Sequence, residues 1–399
     1  GDIIRVTPSD YQILNVEDLA PVQKELHQIE WDIQSAQKGG FKHYMIKEIC
    51  EQPNVLRSAL AGRIDLAGGK VLLPELDALE RPNRVRIVAC GTSYNAGLWA
   101  SSLIEQWGRI PCVVEIASEF RYRQPLLDRD ELVVLISQAG ETADTLAAME
   151  VARAQGCKTL GLCNVVGSSI ARESDVVVYT QAGPEISVAS TKALCSQMAL
   201  LTLFSLYWAQ QVGSINKKEF QQLLVYFNST ADVLEQNLPR MREEARAFAT
   251  RAAGAQNIFF LGRGRNYPLA MEGALKFKEL SYVHAEAYAA GEMKHGPIAL
   301  IDPDFLTIAI APHDELYGKT YSNIEEISAR SGPVLAITEK TEGAERMRAE
   351  MYWDIPRSHE PFTSFAILPM LQLLSYEAAT YLGKDVDQPR NLAKSVTVE

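Results

Sequence analysis

The chain has 399 residues, 47% hydrophobic and 22% charged, an ordinary globular usage that excludes disorder, collagen-like repeats and coiled coil as the main architecture. Lys and Arg number 39 against 50 Asp and Glu, a net charge of -11, which argues against a nucleic acid or an anionic membrane surface as the main partner. Any anionic ligand must therefore be held locally.

Gly1 to about Glu30 lacks the basic, apolar and small-residue layout of a signal peptide and has the character of a strand remnant and linker. Trp31 to Ala61 is expected to be largely helical, with Pro53 at a turn or at the start of the next helix. The apolar run Val85 to Cys90 predicts a strand ending in the turn Gly91-Thr92-Ser93, and Leu132 to Ile136 predicts a second strand ending at Ser137. Thr142 to Gln155, closed by Gly156, has helical character and leads into the strand Thr159 to Cys163. Ala193 to Asn216 carries no charge and is long enough to span a membrane, but Ser196, Gln197, Thr202, Ser205, Gln210 and Gln211 interrupt it, so a core helix is expected.

These landmarks recur. Gly91 is answered by Gly262 after the strand Asn257 to Leu261, an offset of 171; Ser137 by Ala311 after Phe305 to Ile310, an offset of 174; and the Ser190-Thr191 helix start by Thr363-Ser364, an offset of 173. Two copies of one α/β unit follow, each a parallel sheet covered by helices on both faces and related by internal duplication. The boundaries expected are a remnant of a preceding domain over 1–31, the first copy over 32–214, the second over 215–383 and a polar tail over 384–399.

Ligands of open parallel sheets sit beyond the carboxyl ends of the strands, where helix N-termini offer free N–H groups. The first copy has three turns suited to a phosphate: Gly91-Thr92-Ser93, Ser137 to Thr142 and Ser187 to Thr191. Each alone could be an ordinary N-cap; three in one copy point to a site. The second copy has Arg263, Ala311-Pro312-His313 and Pro361-Phe362-Thr363 at the matching places. A helix from Tyr267 to about His284 sets Glu272, Lys276 and Glu279 on one face between apolar neighbours, either as a solvated ladder or as a partly buried acid/base stripe. His295, between Lys294 and Gly296, is a loop histidine for which function and structure weigh evenly. There is no C-x-x-C pair among the six cysteines, no metal-ligand spacing, no G-x-G-x-x-G and no Walker loop, so no metal or cofactor is expected, and the cysteine usage fits a reducing cytoplasm. By composition the tail would be frayed; its single lysine, Lys394, could serve as an amine nucleophile only if the tail folds into a cleft.

The segments His43 to Ile49 with Glu51-Gln52-Pro53, Cys90 to Tyr94, Ser137 to Thr145, Val188 to Ala193, Glu272 to Lys276 through Tyr288, and the tail from Asp387 carry a resemblance. From about Leu14 to Glu399 the chain resembles the isomerase part of the glutamine:fructose 6-phosphate amidotransferases, in which two sugar isomerase (SIS) domains stand in tandem. The resemblance implies a homodimeric phosphosugar isomerase acting on fructose 6-phosphate and yielding glucosamine 6-phosphate when an amine is supplied. It implies a phosphate pocket at Ser137, Gln138, Thr142 and the Thr92-Ser93 turn, and a sugar site lined by Val188 and Ser190. It places the imine-forming lysine at Lys394, the proton-transferring carboxylate at Glu279 with Lys276 assisting and Glu272 nearby, and a ring-opening histidine, contributed across a dimer interface, at His295. Two departures stand out: Ala139 occupies a position where the family usually has Ser, and the glutaminase domain with its terminal cysteine is missing, so glutamine hydrolysis is not expected. The alternatives are an SIS-type glucosamine 6-phosphate deaminase and a non-catalytic phosphosugar sensor.

Overall fold

The computed structural model describes residues 2–24, 37–340 and 348–397. The chain divides into two compact units, Gly1–Ile33 and Gln34–Glu399. Within the first, β1 (Asp2–Val6) and β2 (Tyr11–Asn15) form an antiparallel hairpin closed by Thr7 and Asp10, which bond each other through backbone and hydroxyl. The strand remnant expected there is thus a two-stranded ribbon.

The larger unit begins with α1 (Tyr44–Cys50) and α2 (Gln52–Leu60), followed by the short antiparallel pair β3 (Ile64–Asp65) and β4 (Lys70–Val71). Of the helical stretch expected from Trp31, residues 31–36 lie outside the described residues. Residues 37–43 are turns, because Gly39 and Gly40 adopt positive φ there and end any helix. Pro53 stands in the first turn of α2, where its missing N–H costs nothing.

The first copy then runs β5 (Arg84–Ala89), α3 (Gly91–Gln106), β6 (Cys112–Ile116), α4 (Ala117–Phe120), β7 (Glu131–Ser137), α5 (Ala143–Ala154), β8 (Lys158–Cys163), α6 (Ser169–Glu173), β9 (Val176–Tyr179) and α7 (Lys192–Val212). After α8 (Lys217–Ala253), the second copy runs β10 (Asn257–Gly262), α9 (Asn266–Ser281), β11 (His284–Ala289), β12 (Leu306–Ile310), α10 (Tyr317–Ser328), β13 (Val334–Thr338), β14 (Met351–Asp354) and α11 (Ser364–Tyr381). Both sheets are parallel throughout, in the orders β6-β5-β7-β8-β9 and β11-β10-β12-β13-β14. Position by position the two orders are the same, which is the duplication seen in the sequence offsets.

Successive residues of a strand face opposite sides of the sheet. In β5 and β7, Val85, Ile87, Leu132, Val134 and Ile136 therefore pack into the central core, while Val88, Val133 and Leu135 meet α4, α5 and α6 on the other face. Burial on both faces explains why these strands are continuous apolar runs rather than alternating ones. Every residue of α7 from Lys192 to Ala209 is buried, so the uncharged helix is a core helix. Among the described residues no helix is long and apolar enough to cross a membrane. The 37-residue α8 passed unnoticed in the sequence; it is capped by Asn216, whose side chain accepts the Glu219 N–H, and it buries Phe220, Leu224, Phe227, Ala231, Leu234, Leu238 and Met241 as one helical stripe. It packs on α2 and α11 and joins the copies into one core.

Candidate active site

Each of the three turns in the first copy is built by local chemistry. At the end of β5, Gly91 takes a positive φ of 52°, turning the chain sharply so that Thr92 and Ser93 open α3. At the end of β7, the Ser137 Oγ accepts the Gly140 N–H at 3.0 Å and stands 2.9 Å from the Thr142 Oγ. Gly140 is required there: its φ is 68°, and a Cβ would lie 2.1 Å from the Ser168 Oγ. In the third turn, Glu185 reaches forward to the start of α7, its Oε1 accepting the N–H groups of Thr191 at 2.8 Å and Ala193 at 3.0 Å. This carboxylate does the capping that no side chain at Thr191 supplies.

From the second copy comes α9. Lys276 is buried, its Nζ 2.6 Å from the Glu279 Oε2 and 3.7 Å from the Glu272 Oε1. Glu272 is buried as well and accepts from the Thr92 Oγ at 3.1 Å and the Asn95 Nδ2 at 2.8 Å, tying α9 to the first turn of α3. The stripe is therefore an interior acid-base-acid row and not a solvated ladder. Burial pushes the Glu272 carboxyl above its usual range, with Lys276 only partly offsetting it. Burial would lower the Lys276 ammonium, but Glu279 and Glu272 on either side prevail and hold it above its ordinary value. The helix ends earlier than its apolar pattern suggests: Tyr282 turns left-handed at φ 64°, and His284 instead opens β11, paired with Asn257.

The tail is ordered over its described length, because its bonds go to partners far away in the chain. The Asp387 carboxylate accepts the N–H groups of Tyr44 and Met45 at the start of α1, at 3.0 and 2.9 Å, and its carbonyl accepts from the Val188 N–H at 2.9 Å. The Arg390 N–H donates to the Tyr282 hydroxyl at 2.8 Å, with its guanidinium over that ring. Beyond them Lys394 donates to the Glu185 Oε2 at 2.5 Å and the Ser187 carbonyl at 2.8 Å, and the Val396 carbonyl accepts the Ala143 N–H at the start of α5.

The three turns, α9 and the tail enclose one cavity of about 220 Å³. Its walls include Thr92, Ser93, Ser137, Gln138, Ala139, Thr142, Val188, Ser190, Lys276, Glu279 and Lys394. Glu272 stands behind that wall, bonded to Thr92. His295 does not reach the cavity within this chain; it is exposed after the short turn Glu292–Lys294. Cys90 also lines the cavity, but burial pushes its thiol up, so it is no thiolate nucleophile. Among the described residues no cluster of His, Cys, Asp and Glu could hold a metal ion.

Residues 78–207 and 253–380 each match the model of the SIS domain. The chain belongs to the SIS domain family. Over its whole length it is 46% identical to glutamine-fructose-6-phosphate aminotransferase (isomerizing) of Chlorobaculum tepidum, of which it spans 65%, just under two thirds. The solved C-terminal domain of glucosamine-fructose-6-phosphate aminotransferase from Francisella tularensis is 40% identical, with a TM-score of 0.84 over 88% of this chain and 100% of that one. Glucosamine-6-phosphate deaminase from Thermotoga maritima, at 23% identity, shares the fold, with a TM-score of 0.67 over 88% of this chain and 99% of that one.

Two carboxylates beside the cavity carry no clear sign in the sequence, Glu185 within the first SIS domain and Glu48 before it. Glu185 pairs with Lys394 from 209 positions away, and its one local sign is its place just before the Ser187 to Thr191 turn. Although burial pushes its carboxyl up, the Lys394 ammonium and the capped N–H groups prevail and hold it below the usual range. Glu48, inside a segment quoted only for its resemblance, bonds the same turn from α1.

Proposed function

We propose that this chain is the phosphosugar isomerase module of a glutamine-fructose-6-phosphate aminotransferase, working on fructose 6-phosphate as a cytoplasmic homodimer joined to a glutaminase domain in the full-length protein. The observation that carries this reading is the convergence in one cavity of a hydroxyl-lined phosphate cradle, a lysine amine and a buried Lys-Glu pair. The hydroxyls of Ser137 and Thr142, with Gln138, the Ala139 backbone and the Thr92-Ser93 turn, receive the phosphate at the start of α5 and α3, where helix dipoles favour an anion. Val188 and Ser190 flank the sugar. His295 of the partner subunit opens the ring.

Once the ketone is exposed, Lys394 gives up a proton, for which the Glu185 carboxylate at 2.5 Å is the nearest acceptor, and its amine attacks C2. Loss of water leaves an imine. Ammonia then exchanges with the lysine at C2; Glu279 takes the proton from C1 and returns it to C2, giving glucosamine 6-phosphate and free Lys394. Without ammonia the same carboxylate shuttles the proton through an enediol and yields glucose 6-phosphate. Lys276, 2.6 Å from Glu279, orients that carboxylate toward the substrate and offsets the negative charge that develops on it.

Borohydride reduction in the presence of fructose 6-phosphate tests this: a covalent sugar adduct is expected on Lys394 and is expected to vanish in Lys394→Ala. An adduct on another lysine, or glucosamine 6-phosphate formed from ammonia at the wild-type rate by Lys394→Ala, refutes the assignment. Binding without any conversion would favour the sensor.

A further inference from the structure

The two acceptors that hold the Lys394 amine, the Glu185 carboxylate and the Ser187 carbonyl, both belong to a turn whose backbone is held from behind by one buried side chain. Glu48, on α1 and only 2% exposed, accepts the Ile186 N–H at 2.6 Å and the Ser187 N–H at 3.2 Å through its Oε1, while its Oε2 meets the Ser187 Oγ. The helix that carries Glu48 is in turn capped by Asp387 of the tail, seven residues before Lys394. The bonds close a ring from tail to α1, from Glu48 to the turn, and from the turn back to the tail lysine. We propose that Glu48 is a positioning residue for Lys394, acting through the Glu185–Ser187 turn. The inference rests on the reading of Lys394 as the imine lysine for its functional meaning, though not for its geometry.

The pattern of bonds also specifies what the clamp needs. The Ser187 hydroxyl has one proton and two oxygen neighbours, the Glu48 Oε2 and the Ala189 carbonyl at 3.0 Å. A carbonyl cannot donate, so both contacts are hydrogen bonds only when Glu48 is protonated and donates to Ser187, which donates onward to Ala189. Burial, and after it the nearby Glu185 charge, push the Glu48 carboxyl up to about 7, in the direction this arrangement requires. A glutamine reproduces the protonated carboxyl atom for atom: its carbonyl oxygen accepts the two N–H groups and its amide donates to Ser187. Alanine removes the clamp.

The test follows the lysine itself and needs no sugar. Acetylation of the full chain with acetic anhydride at pH 6, below the Glu48 value, with each lysine quantified by peptide mass mapping, compares wild type, Glu48→Gln and Glu48→Ala. Lys158, paired with Asp175 at the opposite end of the first sheet, serves as the internal reference. In Glu48→Ala the labelling of Lys394 is expected to rise about fivefold, the effect of losing roughly one hydrogen bond to the ammonium, with Lys158 unchanged. Glu48→Gln is expected to stay within about twofold of wild type. Unchanged Lys394 labelling in Glu48→Ala overturns the proposal, as does a parallel rise at Lys158, which marks general loosening. A Glu48→Gln variant as reactive as alanine overturns it too, by showing that charge and not the clamp matters. Should Glu48→Ala fail to fold, Ser187→Ala removes only the hydroxyl arm, and Lys394 labelling at the wild-type rate in that variant counts against the proposal. Failure of borohydride trapping would sink the imine reading and leave this outcome standing.

Discussion

Replacing Lys276 with methionine asks what the interior row on α9 costs. Methionine keeps the apolar stem of the lysine and removes its charge, leaving Glu272, which is 1% exposed, and Glu279, which is 20% exposed, facing each other without a cation. In wild type the Lys276 value is raised, so its contribution to stability is fully present below the unfolded pKa of about 10.5 and is lost only as pH rises through the higher folded value. Between pH 5 and pH 8 that contribution is constant. Glu272 is raised above 4.5 even beside the lysine, so its contribution is fully present below 4.5 and is lost as pH rises through the folded value. Without Lys276 that folded value climbs further. At pH 8 the variant must either keep a buried unpaired carboxylate, at about 3–5 kcal/mol, or protonate it, at about 1.4 kcal/mol for each pH unit above 4.5, which comes to about 5 kcal/mol. At pH 5 protonation costs under about 1 kcal/mol. Urea unfolding of both proteins is therefore expected to show Lys276→Met less stable by about 3–5 kcal/mol at pH 8 and by about 1–2 kcal/mol at pH 5. An equal loss at the two pH values would refute the reasoning, because it would mean that packing and not charge holds the row together.

Glu279→Gln is expected to bind phosphosugars normally and to lose isomerisation about 100-fold or more, followed by the conversion of fructose 6-phosphate to glucose 6-phosphate; near-normal turnover would remove Glu279 from its role. Ala139→Ser adds a hydroxyl to the half-buried wall of the cradle and is expected to tighten phosphosugar binding by at most about tenfold, measured by calorimetry, without affecting unphosphorylated sugars. Weaker binding would place the phosphate elsewhere.

The sheets and their duplication were legible because a strand buried on both faces leaves a continuous apolar run, as Val85 to Ala89 and Leu132 to Ile136 do, and because the turns between strand and helix carry Gly, Ser and Thr for local reasons. The cradle residues were legible for the same cause: Ser137, Gly140 and Thr142 bond one another within six positions. What stayed hidden depends on partners distant in the chain. Glu48 meets residues 138 and 139 positions away, Glu185 meets Lys394 across 209, and Asp387 caps a helix more than 340 positions before it. Composition made the tail look frayed, since its polar residues have no local partners; it is ordered by Tyr44, Met45, Tyr282 and Glu185. The overrun of α9 to His284 has a different cause, because helical periodicity does not register the left-handed turn at Tyr282.

Duplication raises the question why one copy carries a hydroxyl-lined cradle and its twin does not. The helices α3 and α9 follow the corresponding strands β5 and β10, and they pack against each other through the Thr92 and Asn95 bonds to Glu272. Each copy thus offers the same strand-to-helix turn to a ligand. In the second copy, however, the turn after β10 carries Arg263, whose guanidinium donates twice to the Asn323 Oδ1 at 3.1 and 3.0 Å, and Asn266 donates to Asp314 at 2.9 Å. Those side chains satisfy one another, and Asp314 adds a negative charge where a phosphate would approach. The second copy contributes the middle of α9 instead, so that Lys276 and Glu279 face the turns of the first. Neither copy alone contains both the anion site and the acid/base row, and the lysine amine comes from a tail that follows both. Under the proposed function, phosphate binding and proton transfer meet across the α3–α9 contact, a physical reason for keeping the two copies in one chain.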